Sequence, residues 1–131
     1  MVEPKTLISD YLRTLSGQSK TQERISRYVD DPKLTQHILD VEAAFPRYEL
    51  IAEDLLCDGN KVVLRGKFKG VHRGAFADVQ PTGKTVTAGL MIIYAVQNGR
   101  IVDHWMQFDT FGLMEQLRAS AIAQPAAGSA V

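Results

Sequence analysis

Residues 83–117 read GKTVTAGLMIIYAVQNGRIVDHWMQFDTFGLMEQL. Asn98-Gly99 between two β-rich runs is a hairpin signal, because a type I′ turn needs positive φ at both central residues. The turn sets a register. With Asn98 and Gly99 as the loop, Gln97 faces Arg100, Tyr94 faces Asp103, Ile92 faces Trp105, Leu90 faces Gln107 and Ala88 faces Asp109. Side chains alternate across a strand. One face then collects Leu90, Ile92, Tyr94, Trp105, Gln107 and Asp109, and the other Met91, Ile93, His104, Met106 and Phe108. Both faces are largely apolar, so the hairpin is expected to be covered on both sides.

Upstream, Leu7, Ile8, Tyr11, Leu12 and Leu15 have helical spacing, and Gly17 is placed to end that helix. Thr21 can cap a short second helix through Ile25, Tyr28 and Val29. Asp30 or Asp31 can cap a third, with Pro32 in its first turn and Leu34, Ile38, Val41 and Phe45 on one stripe. Pro46 ends it, and the period then changes to two. Tyr48–Leu56 and Lys61–His72 read as strands around the turn Asp58-Gly59-Asn60. Val62, Leu64, Phe68 and His72 share one face of the second strand, while Gly66 and Gly70 suggest a bend or bulge. Residues 73–83 form a loop, and Phe111–Leu117 a short closing helix. Helices followed by antiparallel strands give an α+β layout: N-terminal helices packed on a strongly curved sheet, a cone with an internal pocket. Residues 1–118 are expected to be one such domain, and 119–131 a flexible tail.

The composition narrows the function. The 131 residues are 45% apolar, enough for a single core. Fifteen basic residues balance fifteen acidic ones, so no net field favours nucleic acid or an anionic membrane. The single cysteine, Cys57, has no internal disulfide partner, which fits a reducing compartment and the cytoplasm. No apolar run approaches a membrane span, and the first residues lack the layout of a signal peptide.

Few residues are placed for chemistry. Asp109 continues the face of Ile92 and Trp105, where desolvation would raise its pKa toward that of a useful general base. Equally, it can cap the helix that follows. Asp103 shares that face, but it is roughly 20 Å away along the strand, so the two cannot form a dyad. His72 is expected in the pocket as a hydrogen-bond donor or acid, or else at a strand end on the surface. His37, on the core side of its helix, is by default a satisfied core histidine unless its tip opens into the cavity. His104 reads as structural or interfacial. Three scattered histidines have no metal-ligand spacing, and no nucleophile or phosphate-binding motif is present.

The motifs in order are Ala44-Phe45-Pro46, Asp58-Gly59-Asn60, Gly70-Val71-His72-Arg73-Gly74, Pro81-Thr82-Gly83-Lys84, Asn98-Gly99-Arg100-Ile101-Val102, His104-Trp105-Met106-Gln107-Phe108-Asp109 and Leu113-Met114-Glu115-Gln116-Leu117. Together, from about Thr21 to Leu117, they resemble the SnoaL-like polyketide cyclase family of the nuclear-transport-factor-2-like superfamily. That resemblance implies the cone fold, a homodimer through sheet surfaces, and intramolecular aldol ring closure without metal or cofactor. It implies that Asp109 is the base and that His72 is a pocket histidine. His104 stands where many relatives have glutamate, and Ala95 where the resemblance implies a further histidine. The expected ligand is a hydrophobic small molecule such as a polyketide, with Trp105, Gln107, His37, Phe68, Leu90 and Ile92 around it. Alternatives are a non-catalytic ligand-binding or dimerisation module, and an isomerase or hydrolase on the same cone.

Overall fold

The computed structural model describes residues 3–119; the expected tail beyond Ala119 lies outside the described residues. Three helices precede the sheet: α1 (Pro4–Leu15), α2 (Gln22–Ser26) and α3 (Pro32–Ala44). Four strands follow, β1 (Glu49–Asp58), β2 (Lys61–Val71), β3 (Thr85–Gln97) and β4 (Arg100–Phe108), and then α4 (Thr110–Arg118). The strands run in the order β1-β2-β3-β4, each antiparallel to the next. The result is an α+β cone with a curved, unclosed sheet.

Local chemistry explains the helices. Pro4 opens α1, whose buried stripe is Leu7, Ile8, Tyr11 and Leu15. Thr21 caps α2 by accepting from the Arg24 N–H at 3.2 Å. Asp31 caps α3 through Oδ1, which accepts from the Lys33 and Leu34 N–H groups, with Pro32 supplying a pre-set φ at the first position. On the sheet, Val62, Leu64 and Phe68 from β2 and Val86, Ala88, Leu90, Ile92 and Tyr94 from β3 form the buried concave face against the helices.

Two bulges set the sheet's shape. In β1, Ala52 pairs with Gly66 and Asp54 with Arg65, leaving Glu53 as the extra residue. This is the irregularity that Gly66 signals, carried by the partner strand. A Cβ at Gly66 would lie 2.0 Å from the Ile51 carbonyl oxygen, so glycine is required for the strands to approach.

The second bulge corrects the expected hairpin register. The turn itself is as expected, with Asn98 and Gly99 at φ 53° and 74°, and Gln97 and Val96 pair with Arg100 and Ile101. Beyond them the register slips by one residue. Ala95 pairs with Asp103, Tyr94 with His104, Ile92 with Met106 and Leu90 with Phe108, leaving Val102 unpaired. Because side chains alternate, one extra residue exchanges the two faces of β4. Met106 and Phe108 pack on the core, whereas Trp105 is turned outward and 49% exposed.

Replacing Gly66 by Ala is expected to destabilise the protein by about 1–3 kcal/mol, the range for an added group that forces the backbone to shift. Gly89→Ala, where an added Cβ meets nothing within 4 Å, should stay within about 0.5 kcal/mol. Urea unfolding of both variants checks the contrast.

Candidate functional site

The concave sheet, α1, α3 and the start of α4 enclose a cavity of about 200 Å³. Its wall is mostly apolar and aromatic. Tyr11 comes from α1, His37 and Ile38 from α3, Phe68 from β2, Leu90, Ile92 and Tyr94 from β3, Met106 and Phe108 from β4, and Thr110 and Leu113 from α4. Among the described residues, no carboxylate, ammonium or guanidinium group lines it.

Of the residues singled out by sequence, His37, Phe68, Leu90 and Ile92 meet at this wall. Trp105 and Gln107 do not, because the Val102 bulge turns them to the convex face. Asp109 is displaced by the same slip. It is exposed and caps α4, its Oδ1 accepting from the Gly112 N–H at 2.9 Å. A Cβ at position 112 would lie 2.3 Å from Asp109 Oδ2, so Gly112 lets the carboxylate settle against the helix end. Lys84 Nζ holds the other end of α4 by donating to the Gln116 and Ala119 carbonyls.

His72 is fully buried but does not line the cavity. Its ring packs on Phe45, which does, with centroids 5.3 Å apart. The Thr82 N–H donates to His72 Nδ1 at 3.2 Å, and the His72 backbone exchanges hydrogen bonds with Lys84 and Gly83. These bonds tie the 73–83 loop to the end of β2. The His72 Nε2 is buried without a hydrogen-bond partner.

His104 takes the inward parity instead. Its Nδ1 lies 2.7 Å from Asp31 Oδ2, joining β4 to the N-terminus of α3. Asp31, Asp103 and His104 place donor atoms within 4.8 Å of one another, the candidate metal-ligand cluster among the described residues. Asp31 is already engaged by the α3 cap and His104, and Asp103 Oδ1 accepts from the His104 N–H. The cluster is therefore satisfied as a structural pin.

His37 has a different environment. Burial lowers its pKa below the ordinary 6.5, and His104 lowers it further, while Asp40 acts in the opposite direction. The imidazole in the cavity wall is thus neutral near pH 7. Tyr11, Tyr48 and Tyr94 also line the cavity, and burial pushes each phenol above its ordinary value. They remain protonated hydrogen-bond donors. Sequence reading placed Tyr11 in a core stripe and missed Met106 and Phe108. A signal for the latter pair is present: Ile101 is apolar at an odd position, whereas Met106 and Phe108 are apolar at even ones.

Solved structures with the same fold include AclR from Streptomyces galilaeus, described as a candidate hydroxylase. It is 20% identical with a TM-score of 0.76, over 95% of this chain and 89% of that one. TsrD from Streptomyces laurentii is 20% identical with a TM-score of 0.74, over 92% and 99%. A SnoaL-like polyketide cyclase from Agrobacterium tumefaciens is 20% identical with a TM-score of 0.72, over 89% and 99%. No curated protein matches the chain. The SnoaL-like polyketide cyclase model matches residues 20–117, three quarters of the sequence. The cone and the matched segment together place this chain in the SnoaL-like polyketide cyclase family.

Proposed function

We propose that the protein closes a ring within a small, apolar carbonyl compound by an intramolecular aldol-type step, with His37 as the base. The observation that carries this reading is the composition of the cavity wall. Of the side chains there, His37 is the one able to accept a proton near neutrality. A ring nitrogen of His37 takes the proton from a carbon beside a carbonyl, and the C–H electron pair becomes the enolate. The enolate carbon attacks a second carbonyl of the same molecule, forming the new C–C bond. The imidazolium then returns its proton to the alkoxide. These transfers balance without a metal or cofactor. Holding both carbonyls in one cavity supplies orientation, which is a large part of the barrier in such reactions.

Asp109, the base that the family resemblance implies, is the second reading. To act, its carboxylate would have to leave Gly112 and turn inward past Thr110. The convex face carries a further proposal. Trp105 lies directly opposite Ile93, with Met91 and Ile51 also exposed on the sheet, and such an apolar surface suits a homodimer. The exposed free thiol of Cys57 fits a reducing compartment and hence the cytoplasm.

Deuterium exchange at the α-carbon of 1-indanone, followed by NMR, reports proton abstraction without requiring the natural substrate. The wild-type protein is expected to accelerate exchange, His37→Gln to lose about 10²-fold or more, and Asp109→Asn to stay within about twofold. The reverse pattern would return the role to Asp109.

The pH dependence has a defined sign. Protonated His37 is inactive, so exchange should fall on acidification with a midpoint below 6.5. The unfolded chain binds the proton more readily than the folded one, so His37 also makes stability fall as pH drops through about 6.5 toward the folded value. His37→Gln should flatten that part of the stability curve.

In sedimentation equilibrium, the wild type should have twice the 14.5 kDa chain mass, and Trp105→Glu should shift it toward the monomer. A wild-type monomer would contradict the dimer.

A further inference from the structure

Tyr11 on α1 and Tyr94 on β3 meet in the cavity wall with ring centroids 5.7 Å apart. They are 3% and 1% exposed and line a mostly apolar cavity. Tyr28 shows the ordinary alternative, its hydroxyl satisfied by Thr14 at 2.9 Å. Each phenol brings one hydrogen to donate. The Tyr11–Tyr94 pair therefore brings phenolic donors to the wall of a mostly apolar cavity. A desolvated donor is stabilised by an acceptor, which a ligand oxygen supplies.

We propose that the Tyr11–Tyr94 hydroxyl pair is the oxygen-binding subsite of the cavity, selecting a neutral ligand with a ketone-type carbonyl. This rests on the cavity being the substrate site, as proposed above, but not on which residue is the base. The class of ligand follows from what surrounds the pair. Among the described residues the wall has no cation to hold a carboxylate or phosphate, and an unpaired anion in such a site is strongly disfavoured. Lys20, a buried ammonium among the described residues, is held by Gln18, Tyr48 and Glu42 and does not line this cavity. The phenols stay protonated because burial raises both. When a bound ketone becomes an enolate, charge accumulates on its oxygen, and a pre-set donor interacts more strongly with that charge than with the ketone.

The size is suitable. A dry cavity of about 150 Å³ takes benzene, so the cavity here can take a small bicycle. The test uses 1-indanone and indane, which differ by the carbonyl oxygen. Affinity for each is measured by calorimetry, and the carbonyl stretch of bound 1-indanone by infrared difference spectroscopy. Wild-type protein should bind 1-indanone about 5- to 10-fold more tightly than the double variant Y11F/Y94F does, the scale of one neutral hydrogen bond. The carbonyl stretch should lie at lower frequency than in hydrocarbon solvent and return to the solvent value in the double variant. Indane should bind both proteins equally, which also shows that the variant keeps its cavity. A carbonyl stretch unchanged by the double substitution would overturn the subsite while leaving the cavity reading intact. So would binding of indane without 1-indanone. Binding of neither molecule to the wild type would overturn the cavity reading and the subsite with it.

Discussion

Val102 is one residue more than the β3–β4 ladder can pair, and two packing demands require it. Ile101 must face the core, where it is fully buried; its carbonyl accepts from Asp30, and its N–H donates to Tyr28. Met106 and Phe108 must also face inward, to fill the sheet's concave side. These positions differ in parity, and an unbroken strand alternates every residue. The bulge reconciles them. Its consequences run along the rest of β4. His104 reaches Asp31 at the start of α3, Trp105 turns to the convex face, and Asp109 arrives outside the cavity as the cap of α4.

The cavity is built from groups that resist charge. Burial lowers the pKa of His37 and raises those of Tyr11, Tyr48 and Tyr94, so every titratable side chain in the wall favours its neutral form near pH 7. The buried Lys20 shows how charge is managed outside it. Lys20 donates to the Gln18 and Tyr48 carbonyls at 2.8 and 2.7 Å, lies 3.5 Å from Glu42 and sits 4.0 Å over the Tyr48 ring. Even so, burial outweighs Glu42 and lowers its pKa to about 8. A wall without such support disfavours a buried charge.

Much of the fold was legible because its signals are local. The α1 stripe, the Thr21 and Asp31 caps, Pro32, the Asn98-Gly99 turn and the alternation of β2 and β3 each declare themselves within a few residues. The position of His37, Phe68, Leu90 and Ile92 followed from those periods. What failed was the count across Val102. A bulge has no obligatory residue, and Val102 is an ordinary strand residue. The parity change between Ile101 and Met106 was its trace in the sequence, but the apolar Trp105 on the other face masked it. His72 is buried on the apolar side of its strand, as its neighbours suggested, but its contact with Thr82 lies ten residues away across a loop, beyond the reach of a strand pattern. Tyr11 was placed in the core correctly, but a helical stripe does not reveal that part of that core is open space.

The even-numbered residues at the end of β4, Met106 and Phe108, face the cavity. With methyl-labelled methionines, intermolecular nuclear Overhauser effects to bound indane distinguish the two faces directly, since Met106 lines the cavity and Met91 is 49% exposed on the convex side. The bulged register predicts strong effects from the ligand to the Met106 methyl and none to Met91 or the Trp105 ring. Effects to Trp105 with Met106 silent would contradict it, and would return Trp105, Gln107 and Asp109 to the cavity.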